Sequence, residues 1–162
     1  MTAALPFESF VKKQAKADAI VNIVLAGGIN YMLSRNMAAV PLVLPFGNTA
    51  PNLCGTILST SILMSILLTV IVFVITVAQR KSGKIDPSLP VDTHYASVMW
   101  RLVVKHLLYT LIPTIGLSVL AGKLAPDVSF SPPVFAALTV IIAATMAWFM
   151  SQSTTRGTIR LG

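Results

Sequence analysis

The sequence predicts an all-α fold, a polytopic membrane protein built as a four-transmembrane-helix bundle with both termini cytoplasmic, and three observations carry that expectation. Hydrophobic residues make up 55% of the 162 and charged residues only 10%, whereas a soluble domain needs roughly a quarter of its residues charged. Mean hydropathy is +0.81. The apolar residues are gathered in four runs, each long enough to cross a hydrocarbon core of ~30 Å at ~1.5 Å per helical residue. The basic residues stand at the ends of those runs, the positions that hold orientation in a membrane.

The first run, residues 17–33, is the most polar, with Asn22, Gly27, Gly28 and Asn30 inside it. Lys12, Lys13 and Lys16 precede it, which raises the question of a cleaved signal peptide. The absence of a clear small-x-small site before Ala38 and Ala39 predicts that it is retained. The second run, residues 56–78, carries no charge and is bracketed by Gly55 and by Gln79, Arg80 and Lys81. The third, residues 102–121, contains Lys105, His106 and Pro113, and the proline predicts a kink. The fourth, residues 134–150, follows Pro132 and Pro133, which suit a helix start. The expected organisation is a cytoplasmic segment 1–16, a membrane domain 17–151 and a cytoplasmic tail 152–162.

Orientation follows from the cations. Lys12, Lys13, Lys16, Arg80, Lys81, Lys84, Arg156 and Arg160 fall on one side of a four-span topology, against Arg35 and Lys123 on the other. The positive side is the cytoplasm. The net charge of +7 is therefore read as a topology determinant facing anionic lipid, and nucleic acid is not expected as a partner. The opposite loops hold Pro41, Pro45, Gly47 and Pro51 in one and Pro126, Pro132 and Pro133 in the other, so they read as turns and caps. The apolar stretch 38–46, AAVPLVLPF, is broken by two prolines and reads as interfacial or partly re-entrant.

Small and polar residues recur every four positions, which places them on one helix face. Asp18, Asn22, Ala26 and Asn30 align in the first span, Ser61, Ser65 and Thr69 in the second, and His106, Thr110, Thr114 and Ser118 in the third, while the fourth offers Ala136, Ala143 and Ala147. Such stripes allow close packing and interhelical hydrogen bonds of about 0.6 kcal/mol each. They can equally line a polar pathway enclosed by the four helices, and both readings stand at this point. Asp18, Arg101, Lys105 and His106 share one depth. The expected pairing is Asp18 with Arg101 or Lys105, as a staple at the inner interface or as part of an ion-linked site with Asn22 and His106.

Cys54 is the single cysteine, so no intramolecular disulfide can form, and it reads as a packing residue. Two histidines and five acidic residues, scattered along the chain, make no metal set. No phosphate loop, nucleophile elbow or paired membrane carboxylates occur, so neither a cofactor nor an enzyme activity is expected. Gly27 and Gly28 read as a close helix contact.

The stretches VNIVLAGGINYMLSRNMAAVPL, PNLCGTILSTSIL and AQRKSGKI resemble small bacterial inner-membrane proteins of unassigned function that are sometimes labelled permease-like. That resemblance covers the first half of the chain and implies a multi-pass protein of the bacterial inner (plasma) membrane. Small multidrug resistance exporters are similar in helix number only, because they rely on an acidic residue within the first helix, while Asp18 lies at the membrane edge. The expected function is a permease-like or channel-like homo-oligomer, and the alternative is a non-transporting structural or assembly subunit that binds partner helices.

Overall fold

The structure, a computed structural model, describes residues 5–43, 50–90 and 94–161. Among them stand four helices long and apolar enough to cross a membrane: α1 (Phe7–Ser34), α2 (Leu53–Lys81), α3 (Ala96–Leu124) and α4 (Pro132–Gly157). They have 28, 29, 29 and 26 residues, or about 39–44 Å at 1.5 Å per residue. Each is longer than its apolar run, because helical hydrogen bonding continues where hydropathy stops. Residues 7–16, with Glu8, Lys12, Lys13 and Lys16, are as helical as the apolar run that follows.

Local chemistry sets the helix ends. The Asn52 side chain accepts a hydrogen bond from the Gly55 backbone N–H at 2.7 Å and caps α2. A Cβ at Gly55 would stand 2.9–3.0 Å from that same amide group, so any larger residue there would displace the capping side chain. At the other end of α2 the Gly83 N–H bonds the Arg80 carbonyl and the Lys84 N–H bonds the Gln79 carbonyl, with Gly83 at φ +69. This is a Schellman closure, for which glycine at positive φ is the suited residue. Pro132 and Pro133 occupy the first turn of α4, where no N–H partner is lost. Helix α3 passes through Pro113 without ending. Within α2 the residues Met64–Leu68 form a π turn.

Two small strand pairs tie the connections together. Leu5–Pro6 (β1) pairs in parallel with Ile85–Asp86 (β3), and Val40–Pro41 (β2) pairs antiparallel with Ser129–Phe130 (β4). The first pair gathers the start of α1 and the α2–α3 connection at one end, here the proximal end, together with the turn Thr158–Leu161 that follows α4. The second pair gathers the α1–α2 and α3–α4 connections at the distal end. Of the stretch 38–46, residues 44–46 lie outside the described residues. Val40 and Pro41 take part in the strand pair.

Helices α1 and α4 pack along each other, α4 packs on α2, and α2 packs on α3. The arrangement is a row folded on itself, with α2 and α4 central and α1 and α3 largely exposed. Met64, Ala143, Ala147 and Met150 form the buried seam between α2 and α4. Phe73, Val77, Leu89 and Leu102 pack at the proximal end, and Val40, Leu53 and Phe135 at the distal end. A Cβ on Gly27 would stand 2.8 Å from Val140 Cγ2, so Gly27 admits the close α1–α4 approach. Gly28 has open space at that position, so only one of the glycine pair makes the contact.

Gly27→Ala should therefore push α1 off α4, since Val140 is held to one rotamer in a helix. The expected cost is about 1–3 kcal/mol, read as a lower Tm of the detergent-purified protein, whereas Gly28→Ala should leave Tm unchanged or raise it slightly.

Candidate functional site

The polar stripes separate into two groups. In the first, α1 faces α4: the Asp18 carboxylate accepts from Ser151 Oγ at 2.5 Å and from Gln14 Nε2 at 3.0 Å, and the Asn22 amide donates to the Asp18 backbone carbonyl at 2.8 Å. The expected pairing of Asp18 with Arg101 or Lys105 is not found. Helix α1 packs on α4 rather than α3, so the carboxylate meets a serine of α4.

In the second group, α2 faces α3. Ser65 Oγ and Thr110 Oγ1 lie 3.2 Å apart, and Thr69 Oγ1 lies 2.8 Å from His106 Nδ1. Spacing four on both helices brings these two pairs into register. Thr114 is buried but bonds the Thr110 carbonyl at 2.7 Å, and Ser118 bonds the Thr114 carbonyl at 2.8 Å. Ser61 likewise bonds the Ile57 carbonyl at 2.8 Å. Most hydroxyls of the stripes thus satisfy themselves on their own helix, and the cross-helix bonds concentrate at Ser65, Thr69, His106 and Thr110. His106 is 4% exposed, and its Nε2 has no hydrogen-bond partner among the described residues. An unsatisfied buried polar atom costs about 1–3 kcal/mol.

Two crevices flank the α2–α4 seam. The distal one, about 310 Å³, lies between α1, α2 and α4, with Asn22, Asn30, Thr56, Ser59 and Thr60 among apolar neighbours. It shares Asn30, Thr56 and Ser59 with a second hollow of about 440 Å³ that reaches Asn52 and Gly55 at the distal end. The proximal crevice, about 460 Å³, lies between α3 and α4 and is lined by Lys105, His106, Tyr109, Thr110, Met146 and Phe149. Lys105 and Ser153 connect it to a mouth of about 430 Å³ that holds Arg101 and Arg156. Met64 and Ala143 line the distal crevice and Met150 lines the proximal one, so the buried seam is the wall between them. The π turn lies in that wall. Single π turns inside α-helices recur at functional sites.

Arg80 is the residue that reading the sequence misplaces. It stands among topology cations at the end of an apolar run, yet it is 1% exposed and is the largest fully buried side chain of those described. Its Nε donates to the Pro87 carbonyl at 2.7 Å, a second guanidinium nitrogen donates to the Thr158 carbonyl, and the Phe7 ring lies 6.0 Å away. One side chain therefore joins α2, the following loop, the start of α1 and the turn after α4. Nothing in the local sequence distinguishes it from its neighbour Lys81. Thr154, Thr155 and Thr158 are also buried, while Arg156 and Ile159 are exposed, so one side of the stretch 154–159 is packed inside the protein.

Among the described residues no three His, Cys, Asp or Glu side chains come together as a metal set. Cys54 is unpaired and partly exposed near the distal end. No protein-family model, no curated protein and no solved structure matches this chain. The sequence and geometry therefore define a class, an all-helical protein with four helices of membrane-crossing length.

Replacing Arg80 by Ala should strand the Pro87 and Thr158 carbonyls and lower unfolding free energy by about 3 kcal/mol, while the exposed Lys84→Ala should change it little; titration with a denaturing detergent reads both. A double-mutant cycle on Thr69→Val and His106→Leu should give a coupling of about 0.6 kcal/mol, and no more than ~1.7.

Proposed function

We propose that the chain is a multi-pass protein of the bacterial inner membrane, with both termini in the cytoplasm, that works as a permease-like homo-oligomer. The observation that carries this reading is the pair of crevices, one in the distal half and one in the proximal half, divided by the buried seam of Met64, Ala143, Ala147 and Met150, where the π turn of α2 begins. In a bilayer the distal crevice would open to the outside and the proximal one to the cytoplasm. A side chain as flexible as methionine at Met64 and Met150, set against Ala143 and Ala147, makes a wall that can repack with little strain. Each crevice opens sideways, so a path needs a second copy to close it, which is why the reading requires an oligomer. The sequence resemblance to permease-like inner-membrane proteins supports the same reading.

The second reading is a non-transporting structural or assembly subunit. It draws on α1, which packs mainly along α4 and exposes Ile20, Val24, Ile29 and Met32. A partner helix could lie on that face.

Two measurements decide between these. Native mass spectrometry from nanodiscs should give an integral multiple of this chain alone, whereas a stoichiometric foreign polypeptide would replace the permease reading by the subunit one. In a Cys54→Ser background, Thr60→Cys should react with a membrane-impermeant thiol reagent in intact cells and Thr145→Cys only after the cells are opened. The reverse pattern would overturn the orientation, and protection of both would remove the crevices.

A further inference from the structure

The proximal crevice has a composition that its walls do not explain. Its mouth gathers Arg101, Lys105 and Arg156 between α3 and α4. Among the described residues one salt bridge forms at this mouth, Arg156 with Glu8 at 3.0 Å, and it engages Arg156 from outside the groove. Arg101 and Lys105 have no acidic partner among the described residues. The Lys105 ammonium instead lies 5.7 Å from the Tyr109 ring. Asp18, the carboxylate expected here, is held by Gln14 and Ser151 on the far side of α4. Two of the three cations at the mouth, Arg101 and Lys105, are thus left without a carboxylate among the described residues.

Directly beyond Lys105 the groove turns largely apolar, with Tyr109, Met146 and Phe149 along it beside the hydroxyls of Thr110 and Thr145. His106 borders the same stretch, its Nε2 buried and without a hydrogen-bond partner among the described residues. The other ring nitrogen, Nδ1, lies 2.8 Å from Thr69 Oγ1, which holds the imidazole against α2. The order along the groove is therefore cations and then an apolar trough. An anionic phospholipid presents a charged phosphate and then an acyl chain in the same order.

We infer that the α3–α4 groove is a binding site for one anionic phospholipid, its phosphate on Arg101 and Lys105 and an acyl chain along Tyr109, Met146 and Phe149. The inference rests on the membrane placement proposed above, in which this mouth lies at the leaflet richest in anionic lipid. It does not require transport. A zwitterionic lipid would leave the cations unmatched, and a free phosphate would leave the trough empty.

The test is lipid retention by the full-length protein, followed by native mass spectrometry from nanodiscs containing phosphatidylglycerol and phosphatidylcholine in equal amounts. The expected result is a single retained phosphatidylglycerol per chain in the wild type, lowered about thirtyfold in occupancy ratio by Arg101→Gln with Lys105→Gln, two cations each worth roughly fivefold near a charged surface. Both residues are exposed, so the variant should fold, and an unchanged Tm checks this. Lys12→Gln with Lys13→Gln should keep the lipid; equal loss in that variant would reduce the effect to the general charge of the surface and overturn the site. Displacement by inorganic phosphate at equal concentration would make it a phosphate site instead. Both faces of a nanodisc meet the same lipids, so a reversed orientation or an absence of transport leaves this measurement unaltered.

Discussion

A polar side chain buried on these apolar helices is costly without a partner, and the fold is organised by where most of those partners are. A hydroxyl can bond the carbonyl one turn back on its own helix, which Ser34, Ser61, Thr76, Thr114 and Ser118 do. Such residues need no neighbour and impose no packing partner. An imidazole, a carboxylate or a guanidinium cannot be satisfied in that way. His106, Asp18 and Arg80 each reach to another element, and these three contacts fix α3 to α2, α1 to α4, and the proximal end to itself.

The row order of the helices follows. Helix α2 is the most apolar segment and also the one with an interhelical hydroxyl face, so it is covered by α3 on one side and α4 on another. Helix α4 presents Ala143 and Ala147 to α2 and, through Val140, the close surface that Gly27 of α1 requires. Small residues permit backbone approach on both faces of α4. Helices α1 and α3 are then left on the flanks, and the gaps beside them become the two crevices. The crevices are consequences of two central helices being paired with one flanking helix each.

The four helices were legible in the sequence because hydropathy over a window of helical length is nearly sufficient to mark them. Their ends were less legible. Charge at 7–16 and at Arg156 ends an apolar run without ending a helix, and the caps at Asn52 and Gly83 act through local hydrogen bonds that hydropathy does not register. For the site, spacing four put Ser65 and Thr69 on one face of α2 and His106 and Thr110 on one face of α3, since helix geometry alone dictates a common face. It said nothing of which helix each stripe would face. Asp18 was matched to cations at the same depth when its actual neighbour is Ser151, and Arg80 was read as a surface charge when it is the buried clasp of the proximal end.

The sequence by itself determined the class of the protein, four helices of membrane-crossing length, together with the polar faces they carry, because both depend on residues near one another in the chain. Tertiary structure alone decided that α1 lies on α4, that the stripes divide into two sets, and that a cationic groove opens between α3 and α4. The physical reason is that helix adjacency depends on close approach at single positions such as Gly27 and on bonds between residues as distant as Arg80 and Thr158. No local period encodes either one.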